Sequence, residues 1–456
     1  MTAGRMLMDA REVPTDPDLP GLSAVLDPQM MQKVIARERR DPEVEITGCR
    51  IEYLRYKPET NCIVSYALDW RDRSSQETGT AHFYAKAFRP DDFAHASVKA
   101  DLGRRLEVPR FPAVMSEAGL CTVLYFYPND AGLDGLRLIA EPKKVQRILY
   151  ERVPYLPQSE WRISDRRLQL TLVRYKPEKR AVLRIDTRAT HRTSGERRPV
   201  SIYLRTYVDG RGEQVQAIME SLHRQLHGQD GVTTPPPRGY LPDRKTLLMD
   251  AVAGTPLTDC LSGDRRHPAL QSAARALTRL HDVRGVDAPA RSTESLLEEA
   301  ESTGRFLARL VPDVRTTLDR ALKRLHESTA GLAACARAGF VHGDFYHGQV
   351  LIDHRQTALL DFDRSYLGDV TADLGNFGAH MHLMERQGRI TDGAGAFDDF
   401  MSAYQDAAGF RLDPAHVRFW QTHGLLQLAV RPFRTLESDW TETIRATAAD
   451  CLRTIS

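Results

Sequence analysis

Between His342 and Asp373 the chain gathers side chains able to carry chemistry. His342-Gly343-Asp344 opens the stretch "HGDFYHGQVLID", Gln349 follows in the same run, and Asp361 lies in the apolar "TALLDFD". Asp344 is placed to take a hydroxyl proton. A glutamine carbonyl and a carboxylate are hard oxygen donors of the kind Mg²⁺ prefers. Together they are the parts phosphoryl transfer requires, namely charge neutralisation on phosphates and a carboxylate that orients the nucleophile. His-Gly-Asp by itself reads as readily as a solvated turn. The constellation, with Asp369 and Asp373 trailing in "GDVTADLGNF", is far more specific.

These residues need elements to position them. "QVLID" and "TALLDFD" read as short apolar strands separated by His354, Arg355 and Gln356, a hairpin. A turn centred on Arg355 sets Gln349 opposite Asp361, with Cβ atoms about 5 Å apart. Helical spacing surrounds the hairpin: Leu270, Ala273, Leu277 and Leu280 after Pro268, then Val314, Leu318, Leu322 and Leu325, with "AGAFDDFMSAYQDAAG" and "FWQTHGLLQLAVRPF" beyond.

The earlier half contains an internal repeat. "LRYKPETNCIVSYAL" from Leu54 returns as "VRYKPEKRAVLRIDT" from Val173, 119 residues later, and the same step carries "FYAKAF" onto "IYLRTY", so Lys86 and Arg205 are equivalent. "PTDPDLPGL" from Pro14 echoes "PNDAGLDGL" from Pro128. Each copy reads as strands plus a helix. The expected organisation is α+β in three parts: an N-terminal cap module over 1–127, a second module over 128–250, and a helical region over 251–456. "PPP" at Pro235–Pro237 is a stiff connection, and "KTLLMDAVAGTPL" reads as a buried strand entering a hinge.

Composition excludes several classes. Lys and Arg total 63 against 61 Asp and Glu, so no overall field exists to hold nucleic acid or an anionic membrane. Six scattered cysteines without a C-x-x-C pair fit reduced thiols and a cytoplasmic setting. The opening "MTAGRMLMDAREVP" lacks a secretory apolar core, and no apolar run reaches bilayer length. Bland readings are expected elsewhere: His223 and His227 as an exposed pair, Asp363 as a hydrated acid, Lys86 as a surface or cap residue. Asp398, Asp399 and Glu385 read either as solvated helix faces or as an acidic pocket.

The His-Gly-Asp loop, the amide after it, Asp361 and the Asp-Leu-Gly tail resemble the aminoglycoside phosphotransferase and choline kinase-like superfamily, over about residues 128–456. The resemblance implies a bilobal, protein-kinase-like fold: a small β-rich nucleotide lobe, 128–250, preceded by a duplicated module resembling it, and a mainly helical lobe. It implies ATP as co-substrate, Mg²⁺, and a small-molecule hydroxyl acceptor such as a sugar or amino alcohol. It makes Asp344 the catalytic base and Gln349 and Asp361 the metal ligands. Backbone groups of Asp250 and Val252 would contact adenine, His342 would brace the loop, and Asp369 and Asp373 would anchor it from behind. The family more often carries Asn where Gln349 stands; maltokinases resemble this chain in the Gln and in having an extra cap. Arg205 stands where such kinases use a phosphate-binding Lys, with Glu213 or Glu220 as its expected partner. The two departures leave an alternative, a nucleotide-binding regulator without transfer activity.

Overall fold

The computed structural model describes residues 13–103, 105–139, 141–164, 167–228 and 231–456, without the side chains of 138, 139, 330 and 332–335. The start of the opening segment and the Cys335 side chain lie outside that description. Two compact units are present. One holds the residues up to Gly212 with Arg238–Leu248 and Pro432–Trp440, the other Glu213–Pro237, Met249–Arg431 and Thr441–Ser456.

In the first unit the repeat is written in strand bounds. Strands Val44–Lys57, Asn61–Asp72 and Thr78–Phe88 form an antiparallel meander, and Gln169–Lys176, Arg180–His191 and Arg197–Tyr207 form another. The first sheet continues through Thr122–Phe126 to Val114–Glu117, and the second through Thr246–Asp250 to Pro237–Leu241, in the same order. Strand alternation sends Val200, Ile202 and Leu204 into the core and leaves Tyr203 and Arg205 on the other face.

Each Tyr-Lys-Pro turn is held by the same device. Tyr56 donates its hydroxyl to Asp16 Oδ2 at 2.7 Å and Glu59 its N–H at 2.8 Å. Tyr175 and Glu178 do the same to Asp130 Oδ2, at 2.7 and 3.1 Å. The aspartates are those of the echoing Pro-containing segments, which explains why segments so far upstream recur with the turns. Burial pushes the Asp130 carboxyl up, against the pull of the Tyr175 hydroxyl and backbone N–H groups. Glu59 and Glu178 both turn through left-handed backbone, with φ of 59° and 53°.

Contact between the repeats centres on Glu178. Lys86 Nζ lies 2.7 Å from its Oε2, Arg55 at 3.9 Å, and the Tyr84 hydroxyl donates to Oε1 at 3.3 Å. Tyr84, Tyr125, Tyr175 and Leu248 share one core around this pair. Lys86 is therefore largely enclosed, its position dictated by a carboxylate that the other repeat supplies.

The second unit is helical around a small sheet. Leu270, Ala273, Leu277 and Leu280 are all fully buried along Arg266–His281. Asp392 and Asp413 cap the helices Gly393–Ala408 and Pro414–Leu428 by accepting from Gly395 and Ala415 N–H. Gly375, of the Asp-Leu-Gly run, lets Thr371–Arg386 approach Pro414–Leu428: a Cβ there would lie 2.3 Å from the Trp420 carbonyl carbon. His227 is exposed and His223 half-buried. Their rings stack at 4.6 Å and bond Thr234 O and the Thr233 hydroxyl, stitching the helix Arg211–Leu226 to Val232–Thr233. No helix among the described residues is long and apolar enough to cross a membrane. The five described cysteines are free thiols.

Replacing Glu178 by Ala leaves Lys86 enclosed without its carboxylate and is expected to lower unfolding free energy by about 1–3 kcal/mol. Glu59→Ala, equally left-handed but exposed, controls for backbone strain and should lose less than about 1 kcal/mol. Urea unfolding of the two variants measures the difference.

Candidate active site

The strand Ala338–Val341 delivers the chain to His342 and is paired with Tyr366–Asp369, so the loop starts from a fixed edge. Beyond it the backbone is held by one carboxylate. Asp373, buried at 1% exposure, accepts the His342 N–H at 2.7 Å on Oδ2 and the Gly343 N–H at 2.9 Å on Oδ1. His281 Nε2 approaches Oδ2 at 3.1 Å, and its Nδ1 meets the Tyr404 hydroxyl at 2.8 Å. Gly343 has φ of 76°, and a Cβ there would lie 2.1 Å from Arg364 O, so glycine is required. Asn376 donates to Phe345 O at 2.9 Å, pinning the residue after Asp344.

His342 joins the two halves of the site. Its ring is fully buried between Phe345 and Phe362, Nε2 donates to Leu360 O at 2.8 Å, and Nδ1 accepts the Asp344 N–H at 3.4 Å. That hydrogen-bond pattern fixes the tautomer, with the proton on Nε2. One imidazole thereby links the Asp344 backbone to the residue before Asp361.

The hairpin differs from expectation by one residue. Val350 pairs with Leu359, Leu351 with Ala358 and Ile352 with Thr357, and Asp353 closes on Gln356. Its turn is centred between His354 and Arg355, not on Arg355, because the loop contains an even number of residues. Gln349 consequently faces Leu360, whose N–H it accepts at 2.9 Å, rather than Asp361. Asp361 is not carried by a strand either. The strand ends at Leu359, and Asp361 adopts φ of 62°, a left-handed conformation uncommon for a non-glycine residue and tolerated best by Asp and Asn. The amide of Gln349 and the carboxylate of Asp361 are thus two hard oxygen donors on chain segments tied by one backbone hydrogen bond, a donor set that fits Mg²⁺ with phosphate and water completing its shell. Among the described residues no group of three His, Cys, Asp or Glu side chains clusters as a metal cage. Asp363 is half-exposed.

Asp369 takes a different part from Asp373. It accepts from Trp420 Nε1 at 2.8 Å and Thr371 N–H at 3.1 Å and pairs with His416 at 2.6 Å. Those partners hold its carboxyl below the usual range despite burial. It secures helices to one another, and none of these bonds reaches the His-Gly-Asp loop.

The segment after Asp250 is strapped to the hairpin. Asp250 donates its N–H to Pro236 O at 3.0 Å, and Thr255 and Pro256 pair with Ile352 and Leu351. Val252 lies between, half-buried. In the other unit, Arg205 is opposite Val182 and shares the alternate face with Lys176 and Arg180. Burial there, with repulsion from Arg174, Arg180, Lys179 and Arg434, brings the Lys176 ammonium down to about 7. Glu213 and Glu220 are exposed on their helix, and Glu220 takes the Gln216 amide at 2.5 Å.

The phosphotransferase enzyme family matches residues 163–420, more than half of the chain. The chain belongs to the phosphotransferase enzyme family. A probable bifunctional tRNA threonylcarbamoyladenosine biosynthesis protein of Natronomonas pharaonis is 28% identical over 187 residues, 39% of this chain; the chain spans 34% of that relative's length. Among solved structures, choline kinase from Cryptosporidium parvum is 12% identical with a TM-score of 0.49, over 68% of this chain and 94% of that one. A choline/ethanolamine kinase family protein from Mesorhizobium loti is 16% identical with a TM-score of 0.43, over 69% and 94%.

As a phosphotransferase, the protein has loop anchors that its sequence did not advertise. His281 ends a helix 92 residues before Asp373, and Tyr404 lies on a third element. The only local signal for Asn376 was its place after Asp-Leu-Gly. Thr258 bonds His347 Nδ1 at 2.6 Å, and burial, then Arg389 and Arg431, bring the His347 imidazole down to about 4.

Asp373→Ala leaves two backbone N–H groups without their acceptor, worth about 1–3 kcal/mol each, and displaces the loop, lowering turnover on the order of 100-fold. Gly343→Ala should be at least as damaging. Turnover measured beside the thermal unfolding midpoint separates loop displacement from global unfolding.

Proposed function

We propose that this phosphotransferase moves the γ-phosphate of ATP to a hydroxyl of a small molecule, a sugar, amino alcohol or related metabolite. The observation that carries the reading is the double clamp of Asp373 on the His342–Gly343 backbone with His342 bridging to Leu360, which fixes the segments bearing Asp344, Gln349 and Asp361 relative to one another. Asp344 orients the acceptor hydroxyl and takes its proton as the acceptor oxygen bonds to the γ-phosphorus and the bond to the β-phosphate oxygen breaks, releasing ADP. Gln349 and Asp361 would hold Mg²⁺, which when bound neutralises charge on the phosphates. Asp250 and Val252 offer backbone groups to adenine; with the Asp250 N–H engaged, its carbonyl is the group for that role. Arg205, with the basic face around it, receives phosphate oxygens.

In this reading residues 128–250 form the nucleotide lobe, 251–456 the catalytic lobe, and 1–127 a cap. Glu178 supports the assignment of the cap, since the pairing of Lys86 with it ties the consensus-like Lys to an inter-repeat contact. A peptide acceptor is disfavoured by the short distance between Asp361 and Asp373, which leaves no long activation segment.

The second reading, a nucleotide-binding regulator, rests on Arg205 and Gln349 departing together. Incubation of the protein with Mg-ATP and a panel of sugars, amino alcohols and aminoglycosides decides between them. Acceptor-dependent ADP release supports transfer; nucleotide binding without it supports the regulator. Within an active enzyme, Asp344→Ala should lose nearly all turnover, whereas Gln349→Asn keeps Mg²⁺-dependent turnover within about tenfold, roughly 1.4 kcal/mol. Parent-like behaviour of both variants would refute the site.

A further inference from the structure

The two Tyr-Lys-Pro turns are built alike and held differently. In the first, Lys57 and Glu59 are exposed. In the second, both charged residues meet the N-terminal repeat. The Lys176 ammonium lies over the Tyr53 ring, 5.6 Å from its centre. The Glu178 carboxylate takes Lys86 at 2.7 Å on one oxygen and the Tyr84 hydroxyl at 3.3 Å on the other. The Lys86 side chain is 17% exposed and that of Glu178 14%, so each charge depends on the other in place of water. Tyr84 is itself fixed, stacked on Tyr125 with centroids 4.9 Å apart and accepting the Ala131 N–H at 3.0 Å.

The turn does not need this hold in order to form. Glu59 adopts the same left-handed backbone, φ of 59° against 53° at Glu178, and in each repeat an aspartate takes the glutamate N–H. The contacts of Lys86 and Tyr53 therefore add something other than the turn's shape: they fix where its tip lies. Ladder pairing puts that tip at the end of the sheet that carries Arg205. Lys176 pairs with Arg180 and Arg180 with Tyr207; one step further in, Arg174 pairs with Val182 and Val182 with Arg205. Arg205 is thus two residues, about 7 Å of extended chain, from the row that closes the turn. The Val208 N–H bonds Lys179 O at 3.1 Å and joins the tip to the end of that same strand.

Resting on the reading of 128–250 as a nucleotide lobe with Arg205 on the phosphates, we propose that the cap governs nucleotide affinity through the Lys86–Glu178 pair. Lys86 is a positioning residue. It touches no nucleotide; by holding Glu178 it sets the tip of the turn against which the phosphates bind beside Arg205. Without the pair the tip rocks on its two backbone bonds, and ordering it again becomes part of the cost of binding phosphate. In the same reading adenine contacts Asp250 and Val252, so the effect falls on the phosphates alone.

The test titrates the full chain calorimetrically with AMP-PNP in the presence of Mg²⁺ and, separately, with adenosine, each variant being held below its own unfolding midpoint. Lys86→Met should weaken AMP-PNP about tenfold and leave adenosine within about twofold. Glu178→Gln, which keeps the side chain's shape, should do the same, and the double variant should lose no more than either single one. Lys86→Arg should recover most of the affinity. With an acceptor that the enzyme uses, Lys86→Met should raise the KM for ATP about tenfold with kcat within about twofold. Should Lys86→Met fail to fold, Glu178→Gln and Lys86→Arg still decide. AMP-PNP affinity unchanged in Glu178→Gln overturns the inference; if Lys86→Met alone then loses it, Lys86 itself is on the phosphates. Equal losses of adenosine and AMP-PNP, or losses that add in the double variant, overturn it as well. Failure of the unmodified protein to bind AMP-PNP would instead refute the phosphotransferase reading beneath it.

Discussion

The site depends on a carboxylate that touches no reactant in the proposed reaction. Asp373 is buried, and both its oxygens accept backbone N–H groups from His342 and Gly343, while His281 approaches one of them. Ionised acceptors make backbone hydrogen bonds shorter and stronger than neutral ones. A buried charge is tolerable only when so satisfied. The loop is thus held by its backbone. Gly343 is the local condition for this arrangement, since the left-handed turn and the Arg364 carbonyl leave no space for a side chain.

A second constraint comes from duplication. The Asp-to-tyrosine and Asp-to-turn-amide bonds are the same in both repeats, yet the outcomes differ at the turn glutamate. Glu59 is exposed, whereas Glu178 receives Lys86, Tyr84 and Arg55. The position equivalent to Arg205 has become part of a packing contact.

How much of this was legible in the chain follows from the range of each interaction. The repeat was legible because strand alternation and a Tyr-Lys-Pro turn are local signals, and the helices because Leu270, Ala273, Leu277 and Leu280 recur at the period of one face. Asp344, Gln349 and Asp361 were legible as types and spacings. Their anchors were not, since His281, Tyr404 and Asn376 reach the loop from distant helices and no periodicity marks them. The bonds of His223 and His227 were hidden for the same reason: their partners, Thr234 and Thr233, lie outside the helix. Asp369 and Asp373 look alike in sequence and diverge only because the backbone turns them toward different neighbours.

The hairpin shows how a small local error propagates. A turn centre moved by half a residue shifts the facing partner by one, and strand geometry makes that shift a change of side. Gln349 therefore faces Leu360, and Asp361 lies beyond the paired strand in left-handed backbone. In the proposed metal site this bears on the glutamine itself. An acidic ligand outside the ladder is not placed by cross-strand pairing, so the distance its partner must span is not the one that pairing would set. Gln349 is itself held, by the bond from Leu360 N–H to its carbonyl, and cannot approach by moving its backbone. The extra methylene of glutamine over asparagine is the remaining means of adjusting reach, and it carries the same amide oxygen to the ion.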